Sequence, residues 1–214
     1  MLEVTNIPFE RRPPLQPATS SLQFASQVSE RLQRLDIEAW EELYTEHRRL
    51  IRGVLAGQLG YSADLEDVTQ QVFETALRLV TSRKVHLAGD NSGMRAWLVA
   101  IALRLARGER RRQLKVKLTA DQTDEASQAT APLDPASMQL LHSAHRVLMQ
   151  LPTRLRAPWL LRHLERMSLE EISASTGVSL ATVKRRLSAA NERFHKLAQR
   201  DSVLREHLAQ GDQT

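Results

Sequence analysis

The 214-residue sequence contains no cysteine. That absence excludes disulfide scaffolds, thiolate zinc sites, iron–sulfur clusters and cysteine nucleophiles together. Aromatic residues make up only 4% of the chain, and glycine and proline number 8 each. A β-sandwich or barrel needs more turns and more strand-forming rings than this composition supplies. No run of 18 apolar residues occurs, so no membrane insertion is expected. Residues 1–20 carry Pro8, Pro13, Pro14, Pro17 and an Arg11-Arg12 pair but no apolar segment of the kind an export signal requires. A cytoplasmic location is the expectation. Gly-rich phosphate loops, HExxH and GxSxG are all missing. The seven histidines are scattered, and His142 and His145 share a helix turn without an acid or thiol to complete a metal set. No enzymatic activity, cofactor or metal is expected.

What is present is helical. Hydrophobic residues reach 42%, enough for packed helices. From Asp36, placed to cap, Trp40, Leu43, Tyr44, His47, Leu50, Ile51, Val54 and Leu55 recur at spacings of three and four, and Gly57 and Gly60 are expected to stop that helix. A second helix is expected from about Ala63 to Val80, with Ser62 as its cap. Its apolar stripe is Leu65, Val68, Val72, Ala76 and Leu79. Its other face holds Asp67, Gln70, Gln71, Glu74 and Arg78, a set that suits a protein partner better than DNA. The stretch 81–93 ends in turn-forming residues, Gly89 to Gly93. A third helix is expected from Met94, burying Trp97, Leu98, Ile101 and Leu105.

Charge is segregated rather than uniform. The net charge is +5. Residues 104–117 hold seven basic residues (Arg104, Arg107, Arg110, Arg111, Arg112, Lys115, Lys117) against one acid, Glu109. Residues 119–137 hold four acids and no basic residue. The fold class read from this pattern is all-α: two small helical domains joined by a flexible acidic linker, the C-terminal one containing a helix-turn-helix. The expected boundaries are a largely disordered N-terminal extension over 1–35, a first domain over 36–117, a linker over 118–137, a second domain over 138–200 and a tail over 201–214. Leu22, Val28, Leu32 and Leu35 are spaced for a short helix ahead of the first domain.

The helix-turn-helix lies at Ser168–Leu187. Ser168 and Glu171 form a capping box, Ile172 faces inward, and Gly177 suits a positive φ that ends the helix. Val178 plugs the turn and Ser179 caps the next helix, whose Leu180, Val183, Leu187 and Ala190 make a buried stripe. Ser179, Thr182, Lys184, Arg185 and Arg186 then stand at the exposed start of a second helix, the position from which side chains reach phosphates and base edges in a major groove. A helical hairpin with a merely solvated basic surface is the competing reading.

Taken in order, these segments resemble the extracytoplasmic-function (ECF) sigma factors, bacterial RNA polymerase initiation subunits, over roughly residues 36–116 and 138–198. Ala63-Asp-Leu-Glu-Asp-Val-Thr-Gln-Gln-Val-Phe73 is similar to the family's A-E-D-l-x-Q-e-v-F helix. Arg95-Ala-Trp97-Leu98-Val-Ala-Ile101-Ala102 with trailing Arg110-Arg111-Arg112 is similar to its W-L-x-x-I-A-x-N segment. Leu151-Pro152, Ser168-Leu-Glu-Glu-Ile172 and Thr182-Val183-Lys184-x-Arg186-Leu187 resemble its L-P, l-s-y-e-E-I-A and T-V-k-s-R-l pieces.

The resemblance implies partners and site residues. Asp67, Gln70, Gln71, Val72 and Glu74 would dock on the β′ coiled coil of core RNA polymerase, and the second domain would meet the β flap. Promoter DNA would be read by Arg104, Arg107, Arg110, Arg111 and Arg112 at the −10 element, and by Ser179, Thr182, Lys184, Arg185 and Arg186 at the −35 element. The acidic linker would lie in the RNA exit path. A controlling anti-sigma factor is a further expected partner. The sequence also departs from the family: its Asn falls on Arg104, its Asp four residues later falls on Gly108, and the loop 83–93 lacks an aromatic. Ala181 replaces a glycine, and Pro158 is expected to delay or bend its helix. The alternative function is a regulator or decoy that binds polymerase or DNA without opening promoters.

Overall fold

The computed structural model describes residues 31, 32, 34, 36–61, 64–82, 91–117 and 134–211. They form helices α1 (Ile37–Leu59), α2 (Leu65–Thr81), α3 (Asn91–Lys117), α4 (Pro135–Met149), α5 (Thr153–His163), α6 (Leu169–Thr176), α7 (Leu180–Ala198) and α8 (Ser202–Gly211). No strand occurs among the described residues, and none of their helices is long and apolar enough to cross a membrane. The expected tail over 1–20 and the linker residues 118–133 lie outside the described residues.

Caps account for where most helices begin. The Asp36 carboxylate accepts from the Glu38 and Ala39 N–H groups, and its hydrogen bond from Arg31 holds its pKa below the usual carboxylate range. Arg31 and Leu32 belong to the segment expected to be disordered, yet Leu32 is fully buried and Arg31 reaches Asp36 at 2.7 Å. Asp134 caps α4 by accepting from Ala136 and Ser137, and Pro135 takes the first helical position, where no N–H partner is needed. The second half of the chain therefore starts ahead of Met138, where composition had placed it.

Several other boundaries move. Helix α2 starts at Leu65 after Asp64, which makes no side-chain cap, while the expected cap Ser62 lies outside the described residues. Helix α3 takes in Asn91, Ser92 and Gly93, which had read as loop. A first turn leaves its N–H groups without intrahelical partners, so small polar residues are tolerated there. Helix α5 starts at Thr153 and carries Pro158 in its interior, so Pro158 does not delay it. The expected tail 201–214 holds α8: Asp201 pairs with Arg146 at 2.6 Å, and Leu204 is buried with Val147 and Ala198.

Gly57 does not stop α1. It lies inside the helix, and only Gly60, at φ 89°, ends it. Gly57 is there for a close approach: a Cβ at this position would stand 2.2 Å from Leu160 Cδ1. A side chain that close would have to displace Leu160, which is itself buried.

Helices α1, α2 and α3 pack together, with Tyr44 and Phe73 meeting edge to face at 4.8 Å. Helices α5, α6 and α7 make the helix-turn-helix unit, in which Trp159 stacks on Phe194 at 4.4 Å. The two units share one apolar core. Leu98, Val99, Ala102, Leu103 and Ala106 of α3 belong to the same buried cluster as Leu161, Met167, Ile172, Val183 and Leu187. Helix α3 is thus apolar on two sides, one turned to α1 and α2 and the other to α6, whereas its sequence suggested a single stripe through Leu98.

Candidate nucleic-acid interface

The helix-turn-helix is built as its residues require. The Ser168 hydroxyl accepts from the Glu171 N–H at 3.0 Å, and the Glu171 carboxylate accepts from the Ser168 N–H at 2.6 Å. Both donors would otherwise be unsatisfied at the start of α6. Gly177 sits at φ 69°, ψ 27°, a left-handed conformation that an L side chain adopts at a cost. The Ser173 hydroxyl donates to the Val178 carbonyl at 2.6 Å, closing the turn from the other side. Ser179 then caps α7 by accepting from the Thr182 N–H, and the two hydroxyls lie 3.0 Å apart.

Beyond that cap, Val183, Leu187 and Ala190 are buried. Arg185 falls on the opposite side of the helix and Lys184 on its flank, both exposed, with Thr182 and Arg186 half-buried. Two cations project from the first turns of a rigidly capped helix. That combination is what groove reading requires, since phosphate contacts position and base-edge contacts specify.

Arg104, Arg107 and Arg111 form an exposed stripe along α3. The Arg107 Nε donates to the Leu103 carbonyl at 3.1 Å, and Arg112 pairs with Glu109 at 3.1 Å. Arg110 does not share the stripe: its guanidinium turns toward α5 and donates to the Thr153 hydroxyl. The steps 104, 107 and 111 keep one face, whereas 110 falls roughly 100° away.

On α2, Asp67, Gln70, Gln71 and Glu74 are exposed, with the Gln70 amide donating to Glu74 at 3.1 Å. Val72 is the exception. It has no exposed surface, so it cannot touch a partner and instead supports the face from behind, between Val68 and Ala76. Leu77, 40% exposed, extends this face by one turn. Nothing in its helical spacing separated it from buried leucines.

The residues 83–90 ahead of α3, part of the loop noted above for lacking an aromatic, lie outside the described residues. Among the described residues no cluster of three or more His, Asp or Glu could hold a metal ion.

Two capped helices around a left-handed glycine turn, with cations on the exposed start of the second, define a helix-turn-helix DNA-binding protein. Comparison with known proteins narrows the class. Residues 43–115 match Sigma-70 region 2, and residues 141–193 match Sigma-70, region 4. The chain is 30% identical over 160 residues to the RNA polymerase sigma factor CarQ of Myxococcus xanthus, covering 75% of this chain and 89% of CarQ. It is 28% identical over 184 residues to the RNA polymerase sigma-H factor of Pseudomonas aeruginosa, covering 81% of this chain and 93% of that factor. Among solved structures, CnrH in complex with the cytosolic domain of CnrY has a TM-score of 0.59 at 20% identity, covering 83% of this chain and 99% of CnrH. The sigma factor RpoE of Bartonella quintana, in complex with the anti-sigma factor NepR, has a TM-score of 0.61 at 19% identity, covering 74% of this chain and 96% of RpoE.

The chain belongs to the ECF group of sigma-70 RNA polymerase sigma factors. It is a promoter-recognising initiation factor that binds RNA polymerase, and sigma factors are not enzymes.

Proposed function

We propose that this sigma factor reads a two-part promoter with two separate helices while a third helix holds core polymerase. Ser179, Thr182, Lys184, Arg185 and Arg186 enter the −35 major groove. The exposed stripe Arg104, Arg107 and Arg111 lies along the −10 DNA, with Arg112 beside it, and Arg110 joins them once it leaves Thr153. Asp67, Gln70, Gln71 and Glu74 dock on the polymerase β′ coiled coil. The observation that carries the reading is the capped N-terminus of α7, with Lys184 and Arg185 exposed while Val183 and Leu187 are buried.

Catalysis plays no part in this mechanism. Binding energy is spent on holding the duplex and stabilising its opened strand. Each Lys or Arg that meets a phosphate releases condensed counterions, so binding weakens steeply as salt rises. The protein acts in the cytoplasm, where polymerase and DNA are. The solved relatives named above were captured with a CnrY domain and with an anti-sigma factor, and a partner of that class is proposed for this chain too.

Run-off transcription with core polymerase on a genomic library, followed by mapping of start sites, tests the reading. Discrete starts sharing upstream elements are expected. Stable core binding with no opened promoter would overturn it in favour of a decoy. In parallel, Asp67→Ala with Gln71→Ala is expected to weaken capture of core polymerase and leave −35 duplex binding intact.

A further inference from the structure

Helix α1 presents a charged wall that lies outside the surfaces assigned above to DNA and to polymerase. Residues 46, 49, 53 and 56 follow steps of three and four, so they share one face of the helix. That face lines a cavity of about 690 Å³, bounded elsewhere by Tyr61, by Arg95 of α3 and by Leu164 and Glu165 in the turn after α5. Pockets of roughly 300–1,000 Å³ are the size that takes a small molecule.

Three guanidinium groups, those of Arg49, Arg52 and Arg95, line this cavity, and each has donors to spare. Arg49 is exposed and makes no hydrogen bond or close ion pair among the described residues. Arg52 stands 3.9 Å from Glu66, beyond hydrogen-bond reach, while Glu66 holds Arg48 at 2.8 Å. Arg95 gives one N–H to the Glu165 carbonyl and keeps the rest of its fork. Arg156 is the contrast. It is 2% exposed, and its two terminal nitrogens are spent on the carbonyls of Gln58, Met149 and Leu151 at 3.2, 2.5 and 2.9 Å. That arginine holds the fold together, whereas the three around the cavity have N–H groups left over.

His47 adds a buried polar group to the same lining. It is 4% exposed and makes no hydrogen bond among the described residues. Burial lowers its pKa from the ordinary 6.5, so the ring is neutral at pH 7, with one N–H to donate and one nitrogen to accept. A buried polar side chain ordinarily finds a partner, and one that lacks it beside a cavity marks a place for a ligand. The remaining walls suit an organic body. Leu164 is 58% exposed, and the Tyr61 ring leans on His145 at 4.9 Å, which fixes its position. At Gly53 a Cβ would stand 2.9 Å from the Glu165 Oε1, so this carboxylate lies close over α1 and offers an acceptor to a ligand hydroxyl or amino group. The two acids of the lining, Glu46 and Glu165, are outnumbered by the three arginines.

We propose that this cavity binds a small phosphate ester of nucleotide size, its phosphates held by Arg49, Arg52 and Arg95 and its body laid against Tyr61 and Leu164. Arginine forks match phosphate oxygens in pairs, and several of them together call for more than one negative charge. None of these residues belongs to the −35, −10 or polymerase-docking sets, so the site stands independently of the promoter reading.

Calorimetric titration of the full chain with ADP and with GDP, in about 0.15 M salt, tests this. Saturable binding of one molecule per chain is expected. Pyrophosphate, which leaves the apolar walls empty, should bind at least tenfold more weakly. Arg49→Ala with Arg52→Ala should weaken nucleotide binding at least tenfold, whereas Lys184→Ala with Arg185→Ala, which removes the same charge from α7, should leave it unchanged. No saturable binding of either nucleotide at millimolar concentration would overturn the proposal. So would equal losses in the two charge pairs, which would mean general attraction to a basic protein, or pyrophosphate binding as tightly as the nucleotides.

Two further readouts do not depend on the arginine pair. Leu164→Glu, at an exposed position, should keep the parent's melting temperature and lose nucleotide affinity; unchanged affinity would remove the body from that wall. At a hundred times its dissociation constant the nucleotide should raise the parent's melting temperature by about 5 °C, and no rise would overturn binding to the folded chain. Displacement of ADP by a single-stranded oligonucleotide at equal phosphate concentration would assign the arginines to a nucleic-acid backbone and overturn the small-molecule site.

Discussion

Helices α3 and α7 are both arginine-bearing, and both are assigned to DNA, yet they sit differently in the molecule. Helix α7 buries one stripe and exposes Lys184 and Arg185 outside it. Helix α3 buries two sides, and its exposed face carries Arg104, Arg107, Gly108, Arg111 and Arg112. The difference lies in what each helix packs against. Amphipathic α7 packs directly on helices of its own half, α5 and α6 among them, whereas α3 is the plank on which both units rest. A substitution in the α7 face should therefore act on DNA binding alone, and one beneath α3 should act on the whole molecule.

The largest expected effect is on the shared core. Ile172 is fully buried in the cluster that joins α3 to the helix-turn-helix. Ile172→Ala should cost about 3 kcal/mol of stability, read as a shifted urea midpoint for probes in both halves. If only the second half shifts, the two units are energetically independent and the comparison fails.

Next comes Lys184→Ala with Arg185→Ala. Both side chains are exposed, so the melting temperature should hold while −35 duplex binding falls by about 2 kcal/mol, roughly thirtyfold. Retained affinity at low salt would remove α7 from the interface.

Ser168→Ala removes one half of the capping box and should cost about 1 kcal/mol, measured by thermal denaturation. Arg104→Ala is expected to be milder still: the slope of log affinity against log salt for −10 single strands should shrink by about 0.7. An unchanged slope would mean that the exposed strip of α3 meets no phosphate.

The smallest effect is on pH dependence. Burial lowers the pKa of His47, with Glu46 opposing and Arg95 adding to the shift, and burial likewise lowers that of His145. A depressed histidine favours the neutral form in the folded state, so stability is fully present above the ordinary 6.5 and lost as pH falls through the lowered folded value. Glu165 has the opposite sign. Burial raises its pKa from 4.5, so its contribution is present below that value and lost as pH rises through the folded one. Denaturant midpoints between pH 5 and 7.5 should therefore fall toward acid in the parent and less so in His47→Gln.

Much of the helix-turn-helix was legible because its signals are local. A serine three residues before a glutamate, a glycine at the turn and a serine after it each satisfy groups within a few positions along the chain. The same held for Asp36 and for the exposed acids of α2. Elsewhere a local pattern misled. Gly57 read as a stop because glycine disfavours helix, but its missing side chain serves Leu160, 103 positions away. Val72 read as a contact residue because the resemblance included it, and only packing shows it facing inward. The stretch after Asp201 read as a tail because nothing in it announced a partner, although Leu204 finds one in Val147.

The sequence by itself determined the class of the molecule. Helical period, caps, the glycine turn and segregated charge are short-range properties, and they suffice for an all-α protein with a DNA-reading helix-turn-helix; the order of its motifs carries the resemblance to sigma factors. Only the tertiary structure decided how the halves meet: which side of α3 takes α6, why Gly57 lacks a side chain, and where Arg156 and Arg110 point. Those choices depend on surfaces formed by residues distant in the chain, and no local pattern records which of two apolar sides will find which neighbour.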